Sequence, residues 1–407
     1  MFRYLLRRLA LIPLTFVGIT FVAFLFTRFV PGGPIERAMA ERQQAAQKRM
    51  GMAGAIQSGT GPASPEELDS LKRRYGFDRP LIQAYAIWLG AWPGPATWSI
   101  ARLDKNGQAK VEVLDPEFKD PQTIQVLKKG EQLSLSTSLQ GWKVELAPLD
   151  NDPNPDIRVV VYRPNFSGVL QFNLGESAVD GRSVWELIKS KIPVSAWFGG
   201  WSLLLAYIVS LPLAVAKALR HGKLFDSVSS GTLFVLYAIP GFVLAVALQQ
   251  WLCFRLGWFP HSGFAPDFKH TFIPLTCVTI GSFTMLTLFA KNSLLDNLSA
   301  DHVRTARAKG LSKARIVIVH ALRNSLIPLA ANFGHIIGFF LTGSFLIEYT
   351  FDIDGMGLLS FDALVHRNFP VFLGILTVSS LLMLVGNVLS DLCVALADPR
   401  IRFDKSN

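Results

Sequence analysis

The chain has no residue pattern typical of a catalytic or nucleotide-binding site. A phosphate-binding loop needs a glycine, four residues and then Gly-Lys-Ser or Gly-Lys-Thr, but the only Gly-Lys pair, Gly222-Lys223, is followed by Leu224. The patterns HExxH, GxSxG and GxGxxG are missing as well. We therefore expect no enzyme activity, cofactor or metal site, and energy for uphill work must come from an ion gradient or an ATP-hydrolysing partner.

One stretch has residue types and spacing suited to mechanical work. Residues 291 to 328 read KNSLLDNLSADHVRTARAKGLSKARIVIVHALRNSLIP. Ser299 can cap a short helix with Asp301 in its first turn, and Gly310 can end that helix in the left-handed conformation. Ser312 can then cap a second helix. The sequence predicts a helix, a sharp turn and a helix.

The first of these helices has a narrow face of small residues. Ala300, Val303 and Ala306 share one side at helical spacing, flanked by Arg304 and Arg307. Such a face is suited to close docking in a groove on another protein. The alternative is an ordinary basic connector, but a capped helix in a loop of about 35 residues is more than charge bias requires.

The elements that position this stretch are those of a membrane protein. The chain has 407 residues, of which 50% are hydrophobic and 17% charged, with a mean hydropathy of +0.33. A net charge of +10 could suggest nucleic acid, but the basic residues lie in short segments beside apolar runs. We therefore expect the lipid bilayer as a partner and no nucleic acid.

Apolar runs long enough to cross a bilayer occur six times. A hydrocarbon core of ~30 Å takes about 20 helical residues, and lipid admits only helices or closed barrels. The runs lack the alternation of a barrel strand, so the predicted fold is an all-α polytopic membrane protein. The predicted transmembrane helices lie at about 9–30, 195–216, 230–254, 271–290, 326–347 and 371–397.

Lysine and arginine are distributed unevenly between the two sides of these spans. The N-terminal arm, the two loops that contain Lys217 to Lys223 and Lys291 to Arg323, and the tail carry sixteen of them. The two short loops on the other side carry three. The positive-inside rule therefore predicts cytoplasmic N- and C-termini.

The long polar segment after the first span is predicted to lie outside and to contain a small β-rich or α/β insertion at about 96–163. Short, partly alternating runs such as AKVEVL and IRVVVYR are separated there by Asp, Asn, Gly and Pro. The predicted organisation is 1–30 for the N-terminal tail and first helix, 31–194 for the outer region, 195–397 for the core helices with a long inner loop at 291–325, and 398–407 for the cytoplasmic tail.

Polar residues within or at the ends of the spans are candidates for a translocation path, since such groups usually face a bundle interior or water. Hydrogen bonding between helices remains an alternative for the Ser, Thr and Asn residues among them. The selected candidates are Asn332, His335, Thr342, Ser344 and Glu348.

The segment TARAKGLSKARIVIVHALRNSLIP resembles the signature of the dipeptide/oligopeptide family of ABC importer permeases. Five further stretches follow the order of that family: VPGGP, RRYGFDRPLIQAYAIWL, FNLGESAVDGRSVWELIKSKIPVS, TGSFLIEYTFDIDGMGLLSFDALVHRNFPV and DPRIRFD. Within the family the chain most resembles the first permease subunit of microcin C and oligopeptide uptake systems.

This resemblance implies a permease with six helices in the inner membrane that forms a path for peptides or peptide-like compounds, such as microcin C-type antibiotics. The implied partners are a second permease subunit, two ATPase subunits or a fused ATPase, and a periplasmic solute-binding protein. The residues implied to form the ATPase-coupling helix are Arg304, Thr305, Ala306, Arg307, Ala308, Lys309, Gly310 and Leu311.

The chain departs from the family pattern at two points, and two other classes of membrane protein are alternatives to the permease. Arg304-Thr305-Ala306 stands where the broader importer motif has Glu-Ala-Ala, as is usual in the peptide subfamily, and the 96–163 block interrupts the family pattern. A secondary transporter acting alone would need ionisable residues near mid-span, of which there are hardly any. A membrane-anchored sensor would need fewer than six spans.

Overall fold

A computed structural model of the protein describes residues 2–29, 69–70, 72–73, 76–104, 106–113, 121–129, 132–136, 140–147, 158–331, 333–334 and 343–397. The predicted path residues Asn332, His335 and Thr342 and the predicted tail 398–407 lie outside these residues.

The chain divides into two compact units. A helical unit comprises Met1–Ala23, Glu186–His366 and Val371–Asn407, and a strand-bearing unit comprises Phe24–Trp185 and Arg367–Pro370. In chain order the described elements are α1 (Phe2–Phe29), α2 (Leu81–Leu89), β1 (Gly94–Arg102), β2 (Gln108–Val113), β3 (Gln122–Lys129), β4 (Gln132–Ser136), β5 (Lys143–Leu146), β6 (Arg158–Asn165), α3 (Val184–Leu219), α4 (Leu224–Ala238), α5 (Gly241–Leu248), α6 (Phe268–Ser299), α7 (Asp301–Ala308), α8 (Lys313–Ala331), α9 (Phe345–Phe351), α10 (Met356–Val365) and α11 (Phe369–Ala397).

Among the described residues, five helices are long and apolar enough to cross a membrane: α1, α3, α6, α8 and α11. A sixth crossing results only if α4 and the helix Gly241–Arg255 count as one bent span. They meet at 88°, and the break contains Pro240, a residue type that commonly causes sharp helix kinks. The helix that begins at Gly241 continues beyond α5 as a π-helix at Gln249–Arg255.

The predicted fifth span, 326–347, was wrong at its end. Helical residues are described up to Ala331 and again at 333–334, whereas Gly343 and Ser344 are not helical. Gly343 has a φ of 83°, a left-handed conformation that glycine adopts at little cost. The chain then forms two short helices, α9 and α10, rather than one continuous span.

The β-rich insertion is present, with strands from Gly94 to Asn165. Two antiparallel three-stranded sheets have the orders β1-β6-β5 and β2-β3-β4. Side chains of β2 alternate between exposed and buried, as the sequence pattern predicted. The insertion has its own core of Leu103, Ala109, Val111, Val113, Ile124, Val126, Trp142, Val159 and Val161.

Candidate functional site

Helix α7 is the short helix that the sequence predicted between Ser299 and Gly310. It follows α6 after a single extended residue, Ala300, with φ −70° and ψ 152°. Ser299 does not cap it, contrary to the prediction. Because α6 continues to Ser299, the Ser299 hydroxyl donates to the carbonyl oxygen of Asp296 at 2.8 Å instead.

The predicted end of α7 and start of α8 are confirmed. Gly310 has a φ of 77°, the left-handed conformation typical of a helix terminator. The Ser312 hydroxyl then accepts a hydrogen bond from the backbone N–H of Arg315 at 3.5 Å and caps α8. Most of the next two turns, Ile316–Leu322, are π-helical.

The small-residue face of α7 points into the protein, which corrects the predicted docking surface. Val303 is fully buried and Ala306 is 5% exposed. They pack in one apolar cluster with Leu294 of α6 and with Ala218, Ile316 and Ala321. Because apolar residues three apart on a helix share a face, burial of that face stabilises α7 against its own chain.

The opposite side of α7 is polar and basic. Its exposed residues are Asp301, His302, Arg304, Thr305, Arg307 and Ala308, and exposed Lys309 and Gly310 follow them. The Arg304 guanidinium lies 3.4 Å from an Asp301 carboxylate oxygen, but both side chains are so exposed that the pair contributes little stability. This basic face is the part of α7 available to another molecule.

A polar contact also connects α7 to α8. The Nε2 atom of His302 lies 3.3 Å from the carbonyl oxygen of His320 and 3.2 Å from the side-chain amide nitrogen of Asn324. Together with the apolar cluster, these contacts fix α7 against the π-helical part of α8.

A buried charge cluster joins three helices in the same unit. Asp226 in the first turn of α4 contacts Lys217 near the end of α3 and Lys291 in α6. The exposed fractions of Lys217, Asp226 and Lys291 are 0%, 5% and 8%. Taking charges out of water is unfavourable unless they are paired and hydrogen-bonded, so this cluster constrains where the three helices meet.

Each charge in the cluster has specific partners. Lys291 Nζ donates to both carboxylate oxygens of Asp226 at 2.7 and 2.8 Å. Lys217 Nζ lies 3.3 Å from the same carboxylate and donates to the hydroxyls of Ser229 and Ser230, each at 2.8 Å. His221 Nδ1 lies 3.0 Å from Asp226 Oδ2.

Sequence reasoning missed this cluster because it assigned both lysines to the positive-inside signal. The sequence offers one indication: Asp226 is a lone acid in the apolar start of α4, directly after a basic segment. An isolated acid at the boundary of an apolar run is a reason to look for a basic partner on a neighbouring helix.

Of the predicted path residues, the structure describes Ser344 and Glu348, and it brings them together. The Glu348 carboxylate accepts backbone N–H bonds from Ser344 at 3.2 Å and from Leu358 at 2.7 Å. The side chain is 6% exposed. A small cavity beside it is lined in part by Ser195, Phe198 and Gly199.

Three glycines leave room for this carboxylate. A Cβ atom would lie 2.2 Å from Glu348 Oε1 at Gly343, 2.6 Å from Glu348 Cδ at Gly355, and 3.1 Å from Glu348 Oε2 at Gly357. Nearby, the Met356 backbone N–H donates to the hydroxyl of Ser195 on α3 at 2.8 Å. Glu348, which lies in α9, therefore connects the residue just before α9 to the start of α10.

Other polar residues in the spans serve helix contacts. The Ser390 hydroxyl on α11 accepts the backbone N–H of Gly334 at 2.5 Å, and Asp391 forms an ion pair with Arg8 of α1 at 3.1 Å. No group of three or more His, Cys, Asp or Glu that could hold a metal ion occurs in the described part of the chain.

Comparisons with known proteins agree on one family. Residues 208–403 match the model of the binding-protein-dependent transport system inner membrane component. The chain is 32% identical to the peptidoglycan transport system permease protein YejB of Agrobacterium fabrum, over 99% of this chain and 98% of that protein. It is 38% identical to the inner membrane ABC transporter permease protein YejB of Escherichia coli O157:H7, over 58% and 69%.

A further relative is the oligopeptide transport system permease protein AppB of Bacillus subtilis, at 31% identity over 70% of this chain and 90% of that protein. Among solved structures, the MetNI methionine ABC transporter in inward-facing conformations covers 52% of this chain and 96% of the matched chain. The identity is 16% and the TM-score 0.44.

The glycines that leave room for the Glu348 carboxylate, Gly343, Gly355 and Gly357, form a cradle whose fit can be tested. Gly355 has an extended backbone with φ −106°, so Gly355→Ala adds no backbone strain and tests only the space beside the carboxylate. We expect overpacking to cost about 1–3 kcal/mol and to lower the thermal unfolding midpoint of the purified protein in detergent. Gly281→Ala is the matched control, since nothing beyond the adjacent backbone of its own helix lies within 4 Å of its added Cβ. Equal midpoints for both variants would contradict the cradle.

Proposed function

Because this chain belongs to the family of binding-protein-dependent transport system inner membrane components, as a permease of the peptide-importer group, we propose that it forms part of the path by which peptide-bearing solutes cross the inner membrane. Permeases of this family are membrane subunits, and separate ATPase subunits hydrolyse the ATP that drives transport. The chain itself is therefore not an enzyme. Its relatives are named for peptidoglycan and oligopeptide transport. The proposed solutes include microcin C-type peptide conjugates.

The observation that carries the proposal is the two-sided construction of α7. Its basic outer face, with Arg304 and Arg307, is exposed, while Val303 and Ala306 are buried beneath it. We assign the segment Arg304 to Leu311 as the ATPase-coupling element. Its positive charge suits an acidic cleft on the ATPase subunit.

The packing of α7 supports a mechanical role. A push on its outer face would pass through Val303 and Ala306 to Leu294 of α6 and to Ile316 and Ala321 of α8. Closure of the ATPases on ATP would then bias the bundle between two arrangements, since packed cores shift between discrete states rather than deform continuously. In this account Ala306 acts from beneath the docking surface and does not itself enter the cleft.

The proposed arrangement in the membrane has six spans, with the bent α4 and α5 segment as the third. Both termini and α7 are cytoplasmic, and the β-rich insertion is periplasmic. The ion pair between Arg8, early in α1, and Asp391, late in α11, supports placement of both termini on one side. The uneven distribution of Lys and Arg supports the cytoplasm as that side.

The proposed complex contains a second permease subunit, two ATPase subunits or one fused ATPase, and a periplasmic solute-binding protein. The proposed path runs beside Asn332, His335, Thr342, Ser344 and Glu348. The enclosed carboxylate of Glu348 supports an indirect part for that residue, which is to fix the α9 to α10 segment that shapes the path.

Charge reversal on the outer face of α7 tests the docking assignment. We expect Arg304→Glu combined with Arg307→Glu to reduce ATPase co-purification about tenfold or more, since like charges across an interface cost several kcal/mol. Membrane insertion should be unchanged because both side chains are exposed. The control is Lys269→Glu, an exposed charge reversal in the first turn of α6. Normal co-purification and solute uptake for the double variant would refute the assignment.

Cysteine labelling tests the orientation. Ala308 is exposed on α7, so Ala308→Cys in a chain without Cys253, Cys277 and Cys393 offers one accessible thiol. A membrane-impermeant maleimide should label it in inverted vesicles and leave it unlabelled in intact spheroplasts. Labelling from the outside of spheroplasts would reverse the proposed topology.

A further inference from the structure

We propose that the contact between Lys291 and Asp226 is a latch that couples movement of the ATPase-docking helix α7 to α4, and that Lys291 is a positioning residue for transport. The inference rests on the proposed function. It concerns Lys291, at the start of the predicted inner loop 291–325, and Asp226, which lies outside that loop, and it follows from the different partners of the two buried lysines.

The Lys291–Asp226 contact lies next to the apolar residues against which α7 packs. Lys291 and Leu294 are one turn apart on α6, and Leu294 is packed against Val303 and Ala306. On α3, Lys217 is followed by Ala218, which belongs to the same apolar cluster. A displacement of α7 that reaches Leu294 therefore reaches the Lys291 ammonium through less than one further turn of rigid helix.

The two lysines depend on Asp226 to different degrees. Lys217 Nζ donates to the Ser229 and Ser230 hydroxyls and to the backbone carbonyl oxygen of Asp226 at 3.1 Å, besides lying near the carboxylate. All these partners belong to α4. Lys217 therefore keeps three neutral acceptors if the carboxylate moves away, and α3 and α4 remain joined.

Lys291 has no comparable neutral acceptors among the described residues. Its hydrogen bonds to described residues all go to the carboxylate of Asp226, one to each oxygen. Separation of this buried pair would lose Coulomb energy without returning either group to water, so a partly broken contact is unfavourable. The separable boundary in this cluster is thus between α6 and α4.

This asymmetry distinguishes two polar connections of α4. Lys217 joins α4 to the end of α3, which through Ala218 shares the apolar cluster around Leu294 with α6 and α7. The Lys291–Asp226 contact joins α4 directly to α6. Docking forces on α7 that reach Leu294 would pass to α4 most directly through this contact.

Two substitutions of the same kind separate this role from simple stabilisation. In Lys291→Met the latch is lost, but Asp226 retains Lys217 and His221, so no buried charge is left without an opposite partner. In Lys217→Met the latch remains. Both replace a buried lysine beside the same carboxylate with an apolar side chain of similar length, and they differ in which helix they release.

The experiment uses the full complex of permease subunits and ATPase in proteoliposomes, with a peptide mixture and the binding protein as the probe. Solute uptake and ATP hydrolysis are measured together. For Lys291→Met we expect normal assembly and hydrolysis, while solute moved per ATP falls on the order of 5- to 150-fold, the usual span of coupling between sites. We expect Lys217→Met to stay within about twofold of wild type, and Lys291→Arg to recover part of the lost coupling.

Each other outcome rejects the latch. Wild-type coupling in Lys291→Met would show that the contact transmits nothing, and equal losses in both Met variants would show that the cluster is merely structural. Failure of Lys291→Met to assemble with the ATPase would also assign the contact to folding. Failure of the wild-type chain to bind an ATPase would instead refute the proposed function, so the two failures are distinguishable.

Discussion

A lysine ammonium that is withdrawn from water into an apolar bundle must find an opposite charge, and in this protein two lysines find the same one. The carboxylate of Asp226 meets Lys217 from α3 and Lys291 from α6 while it sits in the first turn of α4. Removal of Asp226 would leave two buried ammonium groups without their shared counter-charge, and an uncompensated buried charge typically costs about 3–5 kcal/mol. The positions of three helices are therefore tied to a single carboxylate, and two of these helices supply apolar residues that pack against α7, Ala218 from α3 and Leu294 from α6.

The same physical logic explains the form of α7. A surface helix can transmit force only if its inner side is packed against what it must move and its outer side is free for a partner. Val303 and Ala306 meet the first condition, and Arg304 and Arg307 meet the second. Gly310 then reverses the chain so that α8 can return beneath α7, where Ile316 and Ala321 complete the apolar cluster.

Local signals in the sequence were sufficient for several features. The apolar lengths predicted most of the long helices, Gly310 and Ser312 marked the turn between α7 and α8, and alternation marked the β-rich insertion. These features depend on residues close together in the chain, such as a cap three residues from the N–H it accepts.

The remaining features depend on residues that are distant in sequence. Whether Ala306 faces a partner or its own chain is decided by Leu294, Ile316 and Ala218, and a helical pattern alone gives a small-residue face without its direction. Lys217 and Lys291 look like topology signals until Asp226 is placed between them. Glu348 looks like a path residue until Gly355 and Gly357 enclose it.

The central claim is that the outer face of α7, and not its small-residue face, meets the ATPase. Photo-crosslinking tests it most directly: a benzophenone amino acid is introduced at Thr305, which is exposed on α7, or at Phe272, which is exposed near the opposite end of α6. The account predicts an ATPase adduct from position 305 and none from position 272. No ATPase adduct at 305, or equal adducts at both positions, would contradict it.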